Sequence, residues 1–268
     1  MSLVLCSTGA FIGRPNGRNF YLLKDIVPRL NCDGLELMFY ESWHEKVDEI
    51  KALVNSLEKP VYVFHLEKQI GELLSYERVD EAHNIMRLNC SLAKGVGAKK
   101  LVLHLWNGII SDSNIDFNIK HLGRLDEIAK EYGLLLTCEN VVCKNSSPMS
   151  HLSKLVKCYP DIKLTFDTKM AEFHKELDLL YDPKYRHVVK NIEHFHVNDC
   201  TCAYKDWSNL RVLPLGDGIV DFDKFFSFLK SIGYNGTLTS EATCFDQGGV
   251  CDVEKMNRCI DKIRSYLQ

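Results

Sequence analysis

No run of about 18 uninterrupted apolar residues, the length a bilayer-spanning helix requires, occurs in this chain. The start Met1-Ser2-Leu3-Val4-Leu5-Cys6 also lacks the basic region of a secretory signal, so an intracellular, cytoplasmic protein is expected. An excess of one charge is missing as well: 33 Lys and Arg stand against 36 Asp and Glu, for a net charge of -3. That balance gives no reason to expect nucleic acid or an anionic membrane as partner. Cysteine is plentiful, but eleven of them scattered over 268 residues do not form a compact disulfide framework. Cys200 and Cys202 have no second pair at zinc-finger spacing, and nothing beside any cysteine marks a catalytic thiol. Most are expected to be reduced and packed as small hydrophobes. Proline-rich or serine-rich linkers, low-complexity segments and sequence repeats are absent, which predicts a single domain over residues 1–268.

What the chain does have is a 46% hydrophobic content arranged in short runs. Eight of them have the length and composition of buried strands. They are Val4-Leu5-Cys6, Gly34–Met38, Val61–Phe64, Lys100–Leu103, Leu134–Cys138, Ile162–Phe166, Ile192–Phe195 and Thr237–Ser240. Helical spacing lies between them, as in Val47, Ile50, Leu53, Val54 and Leu57, or Leu122, Leu125, Ile128 and Ala129. Gly95, Gly97, Gly133 and Gly233 fall where those helices should stop. Eight alternating units in a chain of this length predict the α/β class and a single closed (β/α)8 barrel.

The last four runs each end in a residue able to bind a metal ion: Glu139, Asp167, His196 and Glu241. His65 and His104 end the third and fourth strands in the same way, and Glu36 lies within the second. Taken singly, such a Glu reads equally as a loop charge, a helix cap or an ion-pair partner, and such a His as a hydrogen-bonded packing residue. Six strand ends finishing in His, Asp or Glu weigh against that reading, because buried positions normally exclude charge. In a barrel the carboxyl ends of all parallel strands converge on one face, which carries the active site. His194 and His196 are expected on opposite sides of their strand, with only one of them at the interior or mouth.

The series Cys138-Glu139-Asn140, Phe166-Asp167-Thr168, His194-Phe195-His196-Val197-Asn198-Asp199, Leu215-Gly216-Asp217-Gly218 and Ser240-Glu241-Ala242 resembles the xylose isomerase-like TIM barrel superfamily. Its members include sugar and sugar-phosphate isomerases and epimerases, hydroxypyruvate isomerase, inosose dehydratase and the abasic-site nucleases of the endonuclease IV type. Carried over by position, the resemblance implies one divalent metal ion, Mn, Mg, Co or Zn, held by Glu139, Asp167, His196 and Glu241. It further implies Glu139 and Glu241 as the catalytic pair that moves a proton between substrate carbons, with the ion stabilising an enediolate. The substrate implied is a small carbohydrate, and members are often homo-oligomers.

Two departures bear on the reaction. Where many members carry a histidine three residues after the strand-six aspartate, this chain has Met170. Where the nucleases carry an Asp-x-His pair, it has Leu210-Arg211-Val212. Both argue against a three-metal cluster and DNA repair. Arg211 is a candidate for an anionic or hydroxylated substrate group, or else a surface ion pair to Asp217 or Asp221. Lys169 and the strand-end His65 and His104 are further substrate-contact candidates, and Trp106 either walls a sugar face or packs under a loop. The alternatives to an isomerase or epimerase are a keto-polyol dehydratase or lyase, a sugar-binding barrel without turnover, and an abasic-site endonuclease.

Overall fold

The computed structural model describes every residue except Met1, Ile109 and Gln247. The eight runs become eight parallel strands in a closed barrel: β1 (Leu3–Ser7), β2 (Gly34–Met38), β3 (Val61–His65), β4 (Lys100–Leu103), β5 (Leu135–Glu139), β6 (Lys163–Asp167), β7 (Ile192–His196) and β8 (Thr237–Ser240). Closure comes from β1 on β8, in register from Leu3 opposite Thr237 to Cys6 opposite Ser240. His65, Glu139, Asp167 and His196 are the last ladder residues of their strands, whereas His104 and Glu241 lie one residue beyond. Polar side chains at these ends are therefore held by sheet backbone rather than by loops.

The pleat sorts each strand into two sets. Leu136, Cys138, Leu164, Phe166, Phe195 and Leu238 face the surrounding helices and belong to the main apolar core. The alternate set faces the barrel axis. Leu5, Val63 and Val102 form a small separate apolar cluster there. Above it lies a polar layer, in which Thr165 donates its hydroxyl to Thr137 at 2.6 Å and Thr137 donates to the Leu101 carbonyl at 2.7 Å. Two residues further along the same strands stand Glu139 and Asp167, so the period of two that builds the layer also aims the acids at the mouth.

The helices follow the expected stripes. Helix Val47–Asn55 buries Ile50, Leu53 and Val54, and helix Ile115–Glu131 buries Leu122, Leu125, Ile128 and Ala129. Gly97, Gly133 and Gly233 leave their helices with φ of 84°, 74° and 64°, a left-handed conformation that costs glycine nothing. Gly95 is instead the last residue of helix Val79–Gly95. No helix among the described residues is long and apolar enough to cross a membrane.

The β4 and β5 loops are clamped by a carboxylate. Asp112, 3% exposed, accepts the backbone N–H groups of Lys144, Asn145 and Ser146 and the Nε2 of His151. Beside it Trp106 donates Nε1–H to the Val141 carbonyl at 2.8 Å. Burial raises the Asp112 pKa, but these donors outweigh it and hold the carboxyl down at about 2. A depressed carboxylate stabilises the fold above its unfolded pKa of about 4 and loses that contribution as pH falls through the folded value. Unfolding measured between pH 5 and pH 2 should accordingly lose about 2 kcal/mol from this group, and Asp112→Ala should flatten that part of the profile. An unchanged profile in Asp112→Ala would show that the clamp contributes nothing.

Candidate metal centre and substrate cavity

Four side chains from β5, β6, β7 and the end of β8 meet at the mouth. Nδ1 of His196 lies 3.0 Å from Glu139 Oε1, 3.6 Å from Glu241 Oε2 and 3.9 Å from Asp167 Oδ2. Ligand atoms of Glu139, Asp167 and His196 all fall within 4.8 Å of one another. One imidazole nitrogen facing three carboxylates is a donor set that fits a divalent cation of the Mn, Mg, Co or Zn kind. Without a cation the three acids depend on nearby positive groups. Burial opposes the charged form of His196, but Glu241, Glu36 and Glu139 raise its pKa well above the ordinary imidazole value. Burial likewise pushes the Asp167 carboxyl up, to about 6, with Glu139 and Glu241 adding to the rise and Lys169 opposing it.

Two asparagines, one directly after Glu139 and one two residues after His196, tie the strand ends together. Asn140 Oδ1 accepts the Asp167 N–H at 2.6 Å while its amide donates to the Asp167 carbonyl. Asn198 Nδ2 donates to both Asp167 Oδ2 (2.8 Å) and Glu241 Oε2 (3.0 Å), and its Oδ1 accepts the Glu241 N–H. Asp167 spends Oδ1 as the N-cap of helix Thr168–Phe173, accepting the Met170 N–H at 2.8 Å, which leaves Oδ2 for the site. Asp199 is turned away. Its carboxylate accepts the N–H groups of Gly216, Gly218 and Val220 and shapes the loop after β7. A Cβ at Gly218 would lie 2.3 Å from Asp199 Oδ1, so the turn admits only glycine there.

Behind His196 stands Glu36 of β2, fully buried. Nε2 of His196 is 3.0 Å from Glu36 Oε1, and Nε2 of His194 is 2.9 Å from Oε2. Burial disfavours the Glu36 carboxylate, but the two imidazoles hold its pKa well below the usual range. The expectation that His194 and His196 face opposite sides is therefore corrected. Residues two apart on a strand share a face, and both rings point inward, His194 also meeting Thr237 Oγ1 at 2.7 Å through Nδ1. A carboxylate on the far nitrogen of a ligating histidine fixes its ring and tautomer.

On the other side of Glu139, Oε2 accepts Nε2–H of His104 at 2.6 Å and lies 3.6 Å from His65 Nε2. Desolvation lowers the His104 pKa to about 4 against the pull of Glu139, so that ring is neutral. His65 donates Nδ1–H to the Leu66 carbonyl, which leaves Nε2 as the ring's hydrogen-bond acceptor in the cavity wall. His65, His104 and Glu139 form a second group of possible ligand atoms within 4.8 Å.

A cavity of ≈ 170 Å³ opens above these groups, with His65, His104, Glu139, Lys169, Met170 and Glu241 in its wall. Lys169 is 8% exposed; burial works against its ammonium, but Asp167, Glu241 and Glu139 outweigh it and raise its pKa. Two candidates lie elsewhere. Trp106 is fully buried and edge-on to His151, packed under the β4 loop rather than walling the cavity. Arg211 is exposed and its neighbour Val212 lines the cavity instead. Of its two expected partners, Asp217 pairs with Lys255 at 3.5 Å. Asn140 and Asn198 stand inside the motifs but were given no role from the sequence, and Glu36, expected as an acid of the second strand directed at the mouth, lies beneath it against His194 and His196.

A closed parallel barrel with an acidic, histidine-containing cluster at the carboxyl ends of its strands defines the class. The model of the xylose isomerase-like TIM barrel family (AP_endonuc_2) matches residues 25–261, and the chain belongs to that family. Among solved structures it is similar to the D-allulose 3-epimerase from Methylomonas sp. in complex with D-allulose, at 15% identity and a TM-score of 0.73, covering 99% of this chain and 97% of that one. It is similar as well to the 3-keto-D-glucoside 4-epimerase from E. coli, at 16% identity, TM-score 0.70, and 99% and 100% coverage. The IOLI protein with a bound zinc atom is a third, at 16% identity, TM-score 0.70, and 99% and 96% coverage. No curated protein matches the chain.

Proposed function

We propose that this protein is a divalent-metal-dependent isomerase or epimerase of a small sugar, sugar phosphate or related polyol. The observation that carries the reading is the convergence of Glu139, Asp167 and Glu241 on His196 Nδ1, with Glu139 and Glu241 both in the wall of one cavity. The sugar epimerases among the similar structures, one of them holding its sugar, support it. A divalent ion held by these four residues would supply Lewis-acid stabilisation for charge developing on a substrate oxygen as a neighbouring carbon loses its proton.

The protein's own groups do the rest. Glu139 and Glu241 take a proton from one carbon and return it to the same or the adjacent carbon. Glu241, 13% exposed, reaches the cavity most openly. Lys169 and His65 hold substrate oxygens, the first as a donor, the second through its bare Nε2. His104 fixes the Glu139 carboxylate that it touches. Met170 gives an apolar wall in place of a hydrogen-bonding one.

The test is deuterium uptake from solvent into a panel of ketoses, run on protein assayed for bound metal and again after chelation. Chelator-sensitive exchange is the expected result. Loss of water from the substrate would move the reaction to a dehydratase, and metal with sugar-induced thermal stabilisation but no exchange would move it to a binding barrel.

A further inference from the structure

The 170 Å³ cavity does not end at the metal cluster. Met38, His65 and Lys68 line both it and a second, larger groove of ≈ 550 Å³ that runs over the ends of β1, β2 and β3. Glu139 and Glu241 line only the inner space, and none of the four candidate ligands lines the outer one.

The outer groove has three cations in its wall, Arg14, Arg18 and Lys68. Its rim carries the turn Gly13-Arg14-Pro15-Asn16-Gly17-Arg18, which its own hydrogen bonds make rigid. Asn16 Oδ1 accepts the Gly13 N–H at 3.0 Å, Asn16 Nδ2 donates to the Phe11 carbonyl at 2.7 Å, and the Arg18 N–H closes on the Gly13 carbonyl at 2.8 Å. Arg18 sits at φ 55°, a left-handed conformation that disfavours side-chain-bearing residues. It is held there by Trp43, whose Nε1–H donates to the Arg18 carbonyl at 2.9 Å. The Arg18 guanidinium stacks 4.7 Å above the ring of Tyr40, whose hydroxyl donates to the Ile12 carbonyl. Strain maintained by surrounding contacts is characteristic of ligand clamps.

Arg14, Arg18 and Lys68 all line the groove, and none forms an ion pair among the described residues. Three carboxylates line it too and equal the cations in number, but two of them have their oxygens turned to protein donors. Glu67 accepts from His44, Gln69 and Asn89, and Glu72 from Asn107; only Glu41 stands exposed without such a donor.

We propose that this groove is an oxyanion subsite, in which Arg14, Arg18 and Lys68 hold a phosphate or carboxylate group of the substrate while its reacting carbons lie in the inner cavity. The inference rests on the proposed reaction at the metal cluster for the word substrate, but not for the anion. Guanidinium groups suit such oxyanions because their forked donors match two oxygens at once. Lys68, where the two spaces join, lies on the path from reacting carbons to charged group.

Calorimetric titration with inorganic phosphate and, separately, acetate tests it on the protein as purified, on Arg14→Gln/Arg18→Gln and on Lys68→Gln. Each is repeated in excess EDTA, because phosphate also ligates metal ions. Phosphate binding that survives EDTA and weakens about tenfold or more in the double variant, as charge-assisted bonds require, supports a phosphorylated substrate. The same pattern with acetate and not phosphate supports a carboxylated one. Binding of neither anion, binding unaltered in both variants, or binding abolished by EDTA overturns the subsite. Lys68 is exposed, so Lys68→Gln keeps the test open if the arginine turn fails to fold. EDTA-resistant binding lost in the variants stands even if no ketose exchanges deuterium, which separates this proposal from the reaction assigned to the inner cavity.

Discussion

Glu139→Gln is expected to remove divalent-metal retention and to lower solvent exchange into substrate by about 10²- to 10⁴-fold, the range a positioned acid-base group supplies. The side chain is 1% exposed and both of its oxygens have a protein partner. Oε1 faces His196 Nδ1 at 3.0 Å and Oε2 takes Nε2–H of His104 at 2.6 Å. An amide of the same shape must turn its NH₂ toward one of the two. Toward His104 it sets donor against donor; toward the cluster it offers a metal ion a group without a lone pair. Either way one negative charge of three is lost from the ligand set. The readouts are metal per protein by mass spectrometry, deuterium exchange, and circular dichroism to confirm the barrel. Near-native metal content and exchange would remove Glu139 from both roles.

The barrel was legible because burial on both faces of a parallel strand writes itself as short apolar runs, and because the helices between them carry a separate stripe. The four candidate ligands were legible for the opposite reason, since a charged residue at the end of such a run breaks the pattern. Boundaries shifted by one residue: β5 and β6 begin at Leu135 and Lys163 and include Glu139 and Asp167. Loop-borne candidates fared differently. Trp106 and Arg211 follow strands β4 and β7 at a distance, where side-chain direction depends on how the loop folds back. Trp106 is drawn inward by the Val141 carbonyl, and Arg211 is left outside. The groove turn from Gly13 to Arg18 carried a signal in its Pro-Asn-Gly core, but nothing local told that its arginines line a space joined to the cavity over Glu139 and Glu241.

Glu36 and His194 show a different kind of concealment. Glu36 sits mid-strand between Leu35 and Leu37, and its meaning depends on partners from β7, across the barrel. The period of two was enough to place His194 beside His196 on the inner face, and with both imidazoles there a carboxylate between them satisfies their outer nitrogens. The barrel interior thus reads upward from an apolar layer through threonines to a carboxylate held by two imidazoles, and only then to the mouth.

Glu36→Ala is accordingly expected to cost about 3–5 kcal/mol of stability, as removal of one member of a buried charged network does. It leaves the Nε2–H of His196 without its carboxylate acceptor and that of His194 with only the Thr239 hydroxyl, at 3.2 Å, both side chains being 0% exposed. Glu36→Gln keeps the shape and one acceptor oxygen, so most of the fold should survive. Its effect falls on His196, whose ring loses the charged partner that sets its tautomer, and metal affinity should drop about 10- to 100-fold. Glu36 is not among the residues in the walls of either cavity, so its role is positioning rather than catalysis. The readout that separates the two is recovery: at saturating metal, Glu36→Gln should regain most of its exchange rate with little change in KM, whereas Glu139→Gln should not. Unaltered metal affinity in Glu36→Gln, or a loss of exchange that added metal does not restore, would show that the His196–Glu36 contact serves the fold alone or that Glu36 acts on the substrate by another route.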